Sequence, residues 1–169
     1  MPPWPPRLER SDRMYFTSPS KGRLTFEEMM ADIVGYITGL PTSQYKIIIG
    51  TDSQVRHESC FITALIVHRM GKGGRYYYRK KLHRKIRGLR QKIFYETSLS
   101  LELGGLVAKY LAECGLDDLE VEIHIDVGRQ GETRDLIKEV VGMVTGSGFQ
   151  AKIKPEAFGA SSVADKHTK

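Results

Sequence analysis

At 169 residues, with an ordinary apolar fraction of 40%, the chain has room for one hydrophobic core and is not composed like a disordered or fibrous protein. No apolar run approaches the ~20 residues that a membrane helix needs, and the opening "MPPWPPRLER" lacks the apolar stretch of a signal peptide. Two cysteines, Cys60 and Cys114, offer neither a disulfide framework nor a metal cluster, so a cytoplasmic protein is expected, with no membrane partner. The net charge of +6 is uneven. Residues 75–92, "RYYYRKKLHRKIRGLRQK", hold nine Lys or Arg and no acid, so the remainder is mildly acidic. Such focused positive charge suits a polyanion.

In chain order, residues 1–23 read as a flexible Pro-rich segment. "MPPWPP" favours polyproline II, and "TSPSKGR" is loop chemistry. A single domain is expected over 24–169. Thr25 followed by Glu28 has capping-box spacing. Apolar residues Phe26, Met29, Met30, Ile33, Val34 and Ile37 then recur every three or four positions, which predicts a helix over 26–38. "YKIIIGTDSQ" begins as a strand buried on both faces and reaches a carboxylate, Asp52. "CFITALIVHRM" and "RYYYRKKLHRK" follow as strands, joined by a "GKGG" turn. That turn is not a Walker A loop, because Gly73 stands where Ser or Thr is required.

A long helix is expected from about 89 to 113, with Leu99, Leu103, Leu106, Val107 and Tyr110 as its core stripe. "LEVEIHID" alternates with period two and ends on a second acid, Asp126. The loop 128–134, "GRQGETR", places Arg129 before a helix N-terminus, where backbone N–H groups can bind phosphate. An amphipathic helix, a short strand in "FQAKIKP" and the capping serines of "ASSVADKHTK" complete the chain. Hairpin strands followed by helix-linked strands imply an α/β fold with a mixed five-stranded sheet flanked by helices.

Two strands therefore end in acids. If the first and fourth lie parallel and adjacent, their C-terminal ends coincide, which is where open α/β sheets put their sites. Adjacent carboxylates repel, and divalent cations relieve the repulsion. Two such ions can activate water and stabilise a leaving oxygen in phosphodiester cleavage. The basic stretch supplies Arg79, Lys80, Arg84, Lys85, Arg87 and Arg90 to follow phosphates with little base specificity. Gln54 and Ser53, just after Asp52, are placed to touch a scissile phosphate.

The order of elements, with the acids of "GTDSQ" and "HIDVG", resembles the ribonuclease H-like fold with an extra N-terminal helix. The strings "IGTDSQV", "GKGGRYYYRK", "KIKPEAF" and "ASSVADKHTK" resemble, more narrowly, the bacterial YkuK-type family of ribonuclease H-related nucleases. The resemblance implies a metal-dependent nuclease using Mg2+ or Mn2+, with RNA, DNA or a hybrid as partner. It further implies metal ligands from the first strand, the first long helix, the fourth strand and the last helix. Asp52 and Asp126 match the strand positions, and Asp165 matches the last helix. His167, two residues on, is placed to help proton transfer. The helix ligand is Glu96 or Glu102, which flank Leu99 about 60° to either side. Height along the helix favours Glu102, and loop slack keeps Glu96 open. The alternative function is nucleic-acid binding on the same fold with weak or no catalysis.

Overall fold

The computed structural model describes residues 14–55, 58–128 and 134–154. These form one seven-stranded mixed sheet, in the order β2-β1-β5-β4-β3-β6-β7, with three α-helices. The strands are β1 (Tyr15–Ser18), β2 (Gly22–Thr25), β3 (Tyr45–Val55), β4 (Ser59–Arg69), β5 (Gly74–His83), β6 (Glu120–His124) and β7 (Gln150–Lys152). The helices are α1 (Phe26–Thr38), α2 (Leu89–Glu113) and α3 (Ile137–Gly146), the last entered through a 3-10 turn at Arg134–Leu136.

The sheet thus has two strands more than the five expected. They come from the stretch read as loop: β1 and β2 form an antiparallel hairpin, and β1 extends the sheet beyond β5 through a Thr17–Tyr78 pairing. The Pro-Ser-Lys-Gly run that signals a loop is real, but it is the turn of a hairpin rather than a tail. Phe16, buried in the core, supplies the reason for docking.

Helix α1 lies where its periodicity puts it, with both hydrogen bonds of the Thr25–Glu28 capping box present. Buried side chains of α1, α2 and α3 join one cluster with Ile47, Ile49, Leu65, Val67 and Tyr77 from a single sheet face. Helix α2 comes close to β6 at Gly104, where a Cβ would press on Ile123 and Phe149 at 3.3 Å. The hairpin, α1 and β5 are tied together by Asp32. Its carboxylate takes hydrogen bonds from Lys21 and the Tyr77 hydroxyl, and from Arg75 at 3.1 Å. Burial alone would raise the pKa of Asp32, but the Lys21 and Tyr77 hydrogen bonds and the two cationic charges outweigh it and hold the group below the usual carboxylate range.

A depressed carboxylate stabilises the fold above its unfolded pKa, and that stability is lost as acid protonates the folded form. Asp32→Ala leaves the Tyr77 hydroxyl and Arg75 without their acceptor. It should cost about 3 kcal/mol by urea denaturation at pH 7. The deficit should shrink as pH falls below about 4.

Candidate metal and nucleic-acid site

The parallel β3–β6 pairing sets the level of the site. Ile47 faces Val121, Ile49 faces Ile123 and Gly50 faces His124, where the ladder ends. Asp52 and Asp126 each lie two residues beyond that last pair, so they stand level. Neither sits at the last residue of its strand. β3 continues through Asp52 to Val55 because its antiparallel partnership with β4 persists, Asp52 facing Ile62. β6 stops two residues short of Asp126. The chain nevertheless stays beside β7, since Ile125 N–H donates to Lys152 O at 2.9 Å and Lys154 N–H to Val127 O at 3.0 Å.

Helix α2 runs antiparallel to β3 across this level. Thr51 Oγ1 and Ser100 Oγ are 2.8 Å apart, and Ser53 Oγ donates to Glu96 Oε1 at 2.6 Å. Two strand residues advance ~6.6 Å and four helix residues ~6 Å, so the two contacts keep step. The structure brings Glu96, and not Glu102, to the aspartates. Glu102 lies six residues, ~9 Å, further along the helix and on its other flank. Glu96 leans over β3 and lines a shallow pocket with Thr51, Ser100, His124 and Asp126. Glu102 leans over β4 and β5 and lines a groove with Thr63, Arg79 and Lys81. Height, on which the expectation favouring Glu102 rested, works the other way: the Thr51–Ser100 and Ser53–Glu96 contacts put Asp52 between them, nearer the level of Glu96 than of Glu102. Which strands lie under each flank of the Leu99 stripe acts in the same direction, and a helical wheel does not hold that information.

Glu96 is buried, and its pKa is pushed up to about 8. Desolvation is the main cause, and the nearby charges of Asp52 and Asp126 add to it. The Ser53 hydrogen bond and the charge of Lys92, 3.9 Å away, oppose it. At neutral pH Glu96 therefore keeps its proton. Asp126 is met by Lys154, whose Nζ lies 2.6 Å from Oδ1. That contact, with the charge of Asp52 behind it, raises the pKa of Lys154. The string "AKIKP" gives no reason to single out Lys154. Its role follows from β7 pairing parallel to β6, which carries Lys152 opposite His124 and Lys154 opposite Asp126.

Beneath the pocket, Lys46 lies 2.7 Å from Glu122 Oε2, and His124 Nε2 lies 3.2 Å from Glu122 Oε1. Burial lowers the pKa of His124 despite Glu122. A neutral imidazole donating Nε2–H to Glu122 leaves Nδ1 as an acceptor. Nδ1 is buried and has no partner among the described residues.

Among the other expected site residues, Gln54 is half-buried on β3. Lys80, Arg84, Lys85 and Arg87 are exposed, and Arg79 is half-buried in the Glu102 groove. Arg90 is already held in a fork by Glu139 at 3.1 and 2.6 Å. Tyr77 faces the core, with Tyr76 and Tyr78 on the opposite side of β5. Arg129, Asp165 and His167 lie outside the described residues. Among the described residues, no three His, Cys, Asp or Glu side chains stand close enough to hold a metal ion as they are. The acids and hydroxyls at the pocket nonetheless supply oxygen donors, the kind hard divalent cations take, beside the one ring nitrogen of His124. The proton retained by Glu96 marks a cluster short of positive charge.

Because folded Glu96 binds a proton between its ordinary pKa and about 8 while the unfolded chain does not, stability of the metal-free protein falls as pH rises through that window. Glu96→Gln should remove this component. Thermal melts of wild type and variant from pH 5 to 9 in EDTA should show the variant gaining on wild type as pH rises; a constant difference would mean that Glu96 is ionised throughout.

Comparison with known proteins agrees with this architecture. A family model described as Ribonuclease H-like matches residues 28–169. A Bacillus subtilis (strain 168) protein called "Uncharacterized protein YkuK" is 36% identical over 173 aligned positions, spanning 94% of this chain and 99% of that protein. No solved structure matches. Helix-flanked mixed sheet, family match and near full-length similarity together establish that the chain belongs to the ribonuclease H-like family, in its YkuK-type branch.

Proposed function

We propose that this protein is a metal-dependent nuclease that hydrolyses phosphodiester bonds of nucleic acid. Family membership points to work on nucleic acid. The observation that carries the finer reading is electrostatic: the charges of Asp52 and Asp126 both act on Glu96 of α2. Both aspartates lie just beyond the C-terminal end of the β3–β6 ladder. Asp52, Glu96 and Asp126 would hold two Mg2+ or Mn2+ ions, with Asp165 as a further ligand. Such ions lower the pKa of an attacking water and stabilise the leaving oxygen.

The remaining roles belong to the chain. Ser53 orients Glu96 through Oε1. Glu96 would hold a metal ion as the carboxylate, its proton passing to solvent. Lys154 leaves Asp126 for an incoming phosphate. The exposed cations Lys80, Arg84, Lys85 and Arg87 hold the backbone of the strand, so affinity falls with salt. One observation favours the second reading, binding without cleavage: Lys154 already neutralises Asp126. In that case the ammonium is a permanent substitute for the ion.

Purified protein with Mg2+ or Mn2+ should cut labelled RNA, DNA or hybrid, and EDTA should stop it. Asp52→Asn, Asp126→Asn and Glu96→Gln should each lower the rate by more than ~100-fold, with binding in EDTA retained. Glu102→Gln should cut at close to the wild-type rate. Normal cutting by the Asp52 or Asp126 variant would sink the nuclease reading. Lys154→Gln separates the two readings without any turnover. Titration of Mn2+ followed by electron paramagnetic resonance should show tighter binding in this variant. Failure of both wild type and variant to bind Mn2+ would leave the binding-only reading.

A further inference from the structure

The antiparallel register lays side chains in rows across β3, β4 and β5. On the face that carries α2, one row runs Ser53, Phe61, Lys81, and the following row pairs Ser59 with His83. Tyr95, the residue before Glu96 on α2, sits over this corner. Its ring centroid lies 4.6 Å from that of Phe61, nearly edge-on at 73°, and 4.7 Å from that of His83 at 52°. Phe61 and His83 are themselves 6.4 Å apart at 87°. Lys81 Nζ stands 5.8 Å from the Tyr95 centroid. The cluster is graded in exposure: Phe61 is fully buried, Tyr95 half-buried and His83 exposed. His83 is also held at Nδ1, which lies 2.9 Å from Arg84 O.

An exposed ring braced by two others and fixed by a hydrogen bond is a rigid planar surface facing water. Around it stand Lys81 and the exposed Arg84, Lys85 and Arg87, within a stretch that contains no acid. A ligand matching both features is polyanionic and carries planar groups. In a duplex those groups are stacked inside, out of reach of a side-chain ring. Only an unpaired strand presents base faces to such a platform. The corner is also close to the carboxylates. Ser53, which holds Glu96, and Lys81 are separated in their row by two strand spacings, ~10 Å.

We infer that the Tyr95–His83 ring pair is a base-stacking platform that, with Lys81, takes an unpaired nucleic-acid strand up to the carboxylate site. The destination of the strand rests on the nuclease reading; the platform does not, and it is tested by binding alone.

The experiment is fluorescence anisotropy with the full chain in EDTA, using a labelled single-stranded oligonucleotide and the duplex of the same sequence. The single strand should bind more tightly than the duplex. His83→Ala, at an exposed position that leaves the core intact, should weaken single-strand binding roughly 5- to 100-fold, the effect of losing one base stack. Duplex binding should not change. His83→Phe should restore single-strand affinity, and Lys81→Ala should reduce the salt slope for the single strand by about 0.7. Equal loss on both substrates in His83→Ala, no loss on either, or equal wild-type affinity for the two would overturn the platform. This pattern in a protein that cuts nothing would end the nuclease reading and leave the platform standing. Cutting without this pattern would do the reverse.

Discussion

Everything at the site depends on the parallel pairing of β3 with β6. That pairing carries no chemistry itself, but it sets two chain segments more than seventy residues apart to the same height, to within one peptide. Because strand side chains alternate, a one-residue slip would send Asp126 to the other face of the sheet. The register is protected by the buried Ile47, Ile49 and Ile123, which pack the α2 face and permit no slip without exposing themselves. Gly104 adds to this by letting α2 settle close to β6. Packing under the sheet thus determines where its charges meet.

The charges are arranged at a cost that the fold leaves partly unpaid. Asp32 and Asp126 each have cationic partners, and Glu122 is flanked by Lys46 and His124. Among the described residues, Glu96 has a distant Lys92 and a serine hydroxyl, and it answers by staying protonated. The contrast between Glu122 and Glu96 is instructive. Both are buried carboxyls near the same pocket, yet the pKa of Glu122 is lowered by the hydrogen bonds of Lys46 and His124 despite desolvation. Burial alone does not mark a reactive acid; burial without a cation does.

Much of this was legible in the sequence because it rests on local pattern. Continuous apolar runs locate β3 and β4, and a period-two run locates β6. The 3.6-residue stripe locates α1 and α2, and the capping box at Thr25 gives the start of α1 to the residue. Asp52 and Asp126 stand out because an acid directly follows an apolar run. Four things were not legible, each for a tertiary reason. The hairpin of β1 and β2 is too short and polar to read as strands, and it is ordered by Phe16 and by the Lys21–Asp32 contact rather than by propensity. The preference for Glu96 over Glu102 turns on which strands lie beneath α2. Lys154 and Ser53 acquire their partners only through register. His83 and Tyr95, twelve residues apart, meet because β5 and α2 fold back over Phe61, and no spacing rule links them.

The wide separation of Asp52, Glu96, Asp126 and Lys154 along the chain has a consequence for biosynthesis. Hairpin-linked β3, β4 and β5 and the helix that crosses them can form in order as they leave the ribosome. Parallel β6 and β7 add later, through long-range contacts that close slowly. A growing chain therefore displays its basic hairpin and ring cluster, with Glu96 against Ser53, before Asp126 and Lys154 have been joined to it. The basic surface is thus in place ahead of the carboxylate set. The order of the elements along the chain presents concentrated positive charge before the last acid of the pocket is in place.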